Sequence, residues 1–157
     1  MIGKETLKTA LNVDSIVSSD MATAIQLWCN MYENKATWLN ADVKSLNLPA
    51  SIAADIARMV TIEMKVQIEG SLRGEYLNTE FDKAVMGKIR TAVEFGAAKG
   101  GLVFKPYIEN NGTITVDFVQ ADMFYPVRFD GNGDLMAAVF VDQKQLGDRY
   151  YTRLEYH

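Results

Sequence analysis

The hydrophobic period of this chain changes once, and that change limits the folds open to it. Up to about residue 100 the apolar residues recur at three- and four-residue spacings; from Leu102 they alternate. The first pattern is that of helices with one apolar face, the second that of strands. Helices gathered in one half and strands in the other give an α+β class rather than a wound parallel sheet. The reading is one α+β domain over residues 1–157. About three N-terminal helices (within residues 15–100) pack against a C-terminal antiparallel meander of about five strands (residues 101–157).

The helical half divides at its caps. Ser18, Ser19 and Asp20 offer N-cap oxygens, and Met21, Ile25, Trp28 and Tyr32 follow on one face, so a helix is expected to about residue 34. Residues 36–48, with Trp38 and Leu39, read as a loop with room for one turn of helix. Pro49 stands where a first helical residue tolerates it. Ile52, Ile56, Met59, Val60 and Val66 then form a stripe that Gly70 ends, with Asp55 and Arg58, and Lys65 and Glu69, as surface pairs. A third helix is expected from about residue 75 to 96, along Leu77, Phe81, Val85, Ile89, Ala92 and Val93, with Arg90 and Glu94 as an i+4 pair. Gly87 at its middle suggests a close helix crossing, since glycine there costs about 1 kcal/mol against alanine.

In the β half, residues 102–108 read as a strand at an edge or a bulge, because Pro106 interrupts it. Asn110-Asn111-Gly112 is a hairpin signal, and residues 113–119 alternate. Further strands are expected at 126–129, 135–141 and 149–157. The last pattern stops at His157 without a turn or polar tail, which reads as a chain interrupted within a sheet.

Composition excludes several functions. With 48% hydrophobic residues, 10% aromatic residues and a net charge of −4, the chain has apolar surface enough to fold. No run reaches the ~20 apolar residues of a membrane span, and residues 1–11 lack a secretory core, so no membrane role and a cytoplasmic site of synthesis are expected. His157 is the one histidine and Cys29 the one cysteine, which removes most hydrolytic triads and zinc sites. Seven bases face nine acids up to Asn78, and nine face eleven beyond it. No basic stripe stands out, as tight sequence-specific nucleic-acid binding requires.

The motifs have plain readings. Gly96-Ala97-Ala98-Lys99-Gly100-Gly101 lies between a helix and a strand, the reverse of a phosphate loop, and lacks Ser or Thr after the lysine. Asp130, Asn132 and Asp134 match the start of a calcium loop, but its glycine and its closing acid are replaced by Leu135 and Val141. A hairpin turn is the reading there. Cys29 reads as a core residue. Asp55, Glu63, Glu69 and Glu75 read as solvated helix positions. The methionines, among them Met21, Met31, Met59, Met64 and Met86, read more as core filler than as contact surface. No catalytic residue, metal ligand or cofactor site is visible, and the chain is read as a non-enzyme.

Several segments taken in order carry a resemblance: MATAI (21–25), WCNMY (28–32), SLNLPA (45–50), IARMVTIE (56–63), GAAKGG (96–101), DFVQAD (117–122) and YTRLEYH (151–157). In this order and spacing they resemble portal proteins of tailed bacteriophages, in the branch of long-tailed temperate phages of Gram-positive hosts. The resemblance runs over nearly the whole chain. It implies a subunit of a ring, usually of twelve copies, at one capsid vertex in the virion. Such a ring passes double-stranded DNA without sequence preference and contacts capsid protein, terminase and head–tail connector. The chain would correspond to the N-terminal part of the wing region, without the stem, clip and crown. A ring contact is heterologous, so two different faces must pair. The final strand is the expected subunit interface, through Tyr150, Thr152, Leu154 and Tyr156. The chain by itself is expected to be monomeric or weakly associating; a stable dodecamer in light scattering would contradict that. The alternative is a truncated, prophage-derived adaptor that binds partners without forming a ring. An enzyme reading would rest on metal-dependent hydrolysis at Asp130 and Asp134.

Overall fold

The computed structural model describes residues 2–157. Helices α1 (Lys4–Leu11), α2 (Ser19–Tyr32), α3 (Leu48–Thr61), α4 (Leu72–Phe81) and α5 (Ile89–Lys99) precede strands β1 (Leu102–Ile108), β2 (Ile114–Gln120), β3 (Phe124–Phe129), β4 (Leu135–Leu146) and β5 (Arg149–Tyr156). The class is α+β, helices first and strands second.

The helical half differs from expectation at three places. Helix α1 was not expected; its apolar contribution is Leu7, fully buried, with Leu11 beside the same core. Helix α3 stops at Thr61, not near Gly70. At its end the Ile62 N–H donates to the Arg58 carbonyl at 3.0 Å, and the Thr61 hydroxyl to the Ala57 carbonyl at 2.7 Å. Beyond it, the Asn78 side chain accepts from the Ile68 N–H and donates to the Ile68 carbonyl, both at 2.8 Å. Those bonds hold residue 68 outside a helix. The long helix expected from 75 to 96 is divided into α4, one π turn (Asp82–Met86) and α5. Gly87 follows the π turn, and a Cβ there would meet nothing within 4 Å. It marks an interruption rather than a close crossing.

The close approach lies at Gly100. This residue caps α5 at φ 81°, and a Cβ would come within 2.6 Å of the Trp28 ring. Glycine is required there both for the left-handed backbone and for the indole stacked on it. The expected cap of α2 is present, with Ser18 Oγ accepting from the Met21 N–H at 3.1 Å.

The five strands are antiparallel, as expected, and are shared between two sheets. A 3-10 turn at Ala121–Met123 separates the β1–β2 hairpin from a sheet of order β3-β4-β5. The β1–β2 register runs from Leu102 opposite Gln120 to Ile108 opposite Ile114. Lys105 links the two sheets. Its ammonium pairs with Glu155 on β5 and stands 4.9 Å from the Phe140 ring centre on β4. The main core lies where α1 meets the three-stranded sheet: Leu7, Tyr125, Val139 and Val141, flanked by Leu11 and Leu154. Tyr125 also accepts the Ile2 N–H at 2.6 Å, which gives its buried hydroxyl a partner.

Candidate interaction surface

Helix α3 is apolar on two sides, and the smaller side chains face inward. It lies against α5, with Ala53 and Ala57 buried, as is Ala92 on α5. Small residues at such a contact let helix backbones approach closely. The expected stripe is the part left outside. Ile52 is 57% exposed, Met59 63% and Ile62 70%, and Leu48, Ile56 and Val60 are exposed with them. Leu48, Ile52, Ile56 and Val60 follow one another at four-residue intervals and so form a single ridge along the helix. The charges on α3 answer each other, Arg58 to Asp55 at 3.2 Å. The expected apolar stripe therefore lies mostly outside. Met21 and Met59, expected as core filler, are exposed too.

A second exposed region is the outer part of the β4–β5 hairpin, where every residue from 143 to 153 is exposed. The four residues expected at an interface lie on β5, at the end of the β3-β4-β5 order. Tyr150 is 77% exposed, Thr152 and Tyr156 are exposed, and Leu154 packs against the core. All four point to one face of the sheet, because side chains alternate along a strand.

A third feature is a groove between residues 2–3, residues 15–19, α2 and Tyr125, of about 520 Å³. Ile2, Val17, Ala22, Leu27 and Tyr125 line it, with uncharged polar residues such as Ser19 and Thr23; no described lining residue carries a charge.

The sequence reading missed one buried polar cluster. Lys99, on the last turn of α5, is nearly fully buried, with its ammonium 3.3 Å from Asp122 and 3.7 Å from Glu33. Cys29, from α2, lies beside it; burial and then the Asp122 carboxylate push its thiol up from its ordinary value. The spacing along α2 puts no base near Cys29, yet the fold brings Lys99 there. The cluster joins α2, α5 and the 121–123 turn. Burial and a 2.8 Å hydrogen bond donated to Glu94 raise the Tyr32 hydroxyl to about 12.

The Asp130 loop is a hairpin turn: its Oδ1 accepts from the N–H groups of Asn132 and Asp134 at 2.8 and 2.9 Å. Among the described residues no group of three or more His, Cys, Asp or Glu side chains is placed to hold a metal ion. No helix among them is long and apolar enough to cross a membrane.

The surface as a whole is large. A folded monomer of this mass exposes roughly 7,900 Å². This chain exposes 10826 Å², roughly 2,900 Å² more than that relation gives. The ridge and the hairpin arm contribute large apolar side chains to this surface, as do Leu46, Leu72 and Ile108, and an exposed apolar patch larger than a few hundred Å² marks a site of protein association. Comparison with family models, with curated proteins and with solved structures gives no match.

Proposed function

We propose that the chain is a structural subunit, the wing region, of a bacteriophage portal ring, the assembly through which double-stranded DNA enters and leaves the capsid. The observation that carries the reading is the excess surface. Large aliphatic side chains on α3 and aromatic ones on β5 lie outside while alanines fill the α3–α5 contact. A domain built in this way is completed by neighbours. The ordered resemblance of segments from residue 21 to residue 157 supplies the kind of neighbour: further copies of the subunit, capsid protein, terminase and connector. An acidic balance of −4 suits a ring that DNA must slide through, since tight phosphate binding would hold it.

The test is location. Antibodies raised against this chain should decorate tailed particles from the producing host at one vertex only, seen by immunogold electron microscopy. Label on no particle, with the protein recovered in the soluble cell fraction bound to other proteins, would contradict the portal reading and support the adaptor.

A further inference from the structure

The ridge on α3 and the groove beside α2 share no residue, and both are largely apolar. We propose that they are the two halves of one contact, the α3 ridge of one copy seating in the α2–Tyr125 groove of the next. This rests on the reading of the chain as a ring subunit and says which two faces meet.

Neither surface brings an unpaired charge into the contact. The described lining of the groove is uncharged, and Asp55 and Arg58 on α3 already answer each other. Burying a lone charge would be the main obstacle to such docking. A cavity of ~150 Å³ accommodates a group the size of a benzene ring, so a groove of about 520 Å³ has room for roughly three aliphatic side chains. Ile52, Ile56 and Val60 stand in one row at ~6 Å intervals along the helix. On the ridge side, the exposed parts of Leu48, Ile52, Ile56, Met59, Val60 and Ile62 amount to on the order of 600 Å², approaching the ~800 Å² that each partner contributes to a standard interface. A contact between two different faces repeats from copy to copy, closing into a ring or extending as a filament. Ridge against ridge, by contrast, would stop at a pair and leave the groove uncovered.

Disulfide trapping separates these arrangements. Ile56→Cys places a thiol on the exposed ridge, and Thr23→Cys places one at the groove; the native Cys29 is buried and serves as the silent background. In an equimolar mixture at high concentration, the two single variants should give a 1:1 cross-linked dimer. Neither variant alone should cross-link, and the double variant should give a ladder of covalent oligomers. Ile56→Cys dimerising by itself as fast as in the mixture would overturn the proposal in favour of a two-fold pair. Absence of any cross-link would overturn it as well. Sedimentation of the unmodified chain then tells the two readings apart. Self-association without the cross-link defeats this pairing and leaves the ring-subunit reading standing, whereas failure of the vertex labelling defeats the ring reading itself.

Discussion

The sheet region and the helical region meet the demand for burial in opposite ways. Where α1 covers β3, β4 and β5, the largest side chains point inward, with Leu7 and Val139 fully buried and Tyr125 nearly so. Between α3 and α5 the buried apolar residues are alanines, and the isoleucines, methionine and valine of α3 face out. The first arrangement gains stability from its own chain, since burying a large aliphatic side chain is worth about 1.5–3 kcal/mol. The second leaves that gain unrealised until something covers it. An amphipathic stripe in a sequence shows that a helix will bury a face, but not whether its own chain or a neighbour supplies the cover.

That contrast can be broken at its strong end first. Leu7→Ala should destabilise the chain by about 3–5 kcal/mol, the cost of an unfilled core site, measured by urea unfolding. A change under 1 kcal/mol would mean that α1 is not part of the core. Lys99→Met should cost about 3 kcal/mol, because it strands the Asp122 carboxylate without its cation; Asp122→Asn in the same chain should recover a good part of the loss. Gly100→Ala should cost about 2 kcal/mol, from the left-handed backbone and the Trp28 ring together, read as a lower denaturant midpoint.

The link between sheets gives a pH prediction. The Lys105 ammonium, hydrogen-bonded to Glu155, lowers that carboxyl below its ordinary value of 4.5. A carboxyl lowered in the folded state stabilises above its unfolded value, and the contribution is lost as pH falls through the folded one. Thermal unfolding followed downward from pH 6 should show this loss, and Lys105→Met should remove that component. The smallest effect is expected on α3: Ile52→Ala should change the stability of the dissociated chain by no more than ~0.5 kcal/mol. A loss above 2 kcal/mol there would place Ile52 in a core and erase the contrast between the regions.

Local chemistry was legible where it acts alone. Residues 102–108 form β1 within the expected bounds, the Asn110-Asn111-Gly112 turn joins β1 to β2, and Ser18 caps α2. These features depend on turn and cap preferences that a few neighbouring residues decide. What was illegible depends on partners far along the chain. Residues 62–71 leave the helical path and Asn78 binds residue 68; no periodicity reports a side-chain amide ten residues away. Helix α1 carries one buried leucine, too weak a pattern to detect. The Lys99 cluster draws on residues 29, 33, 99 and 122, which only the fold brings together. The ridge itself was read correctly as apolar in Ile52, Ile56, Met59 and Val60, but its direction was not in the pattern.

Met59 offers the most direct measurement of the central claim, that neighbours cover α3. Mild peroxide converts an exposed methionine to its sulfoxide, and peptide mass spectrometry reads the extent at each site. In the dissociated chain Met59 should oxidise readily. In the assembly purified intact from its producing cells it should be protected, by comparison with its own rate in the dissociated chain. Equal oxidation of Met59 in both states, or recovery of the protein only as a free single chain, would contradict the account.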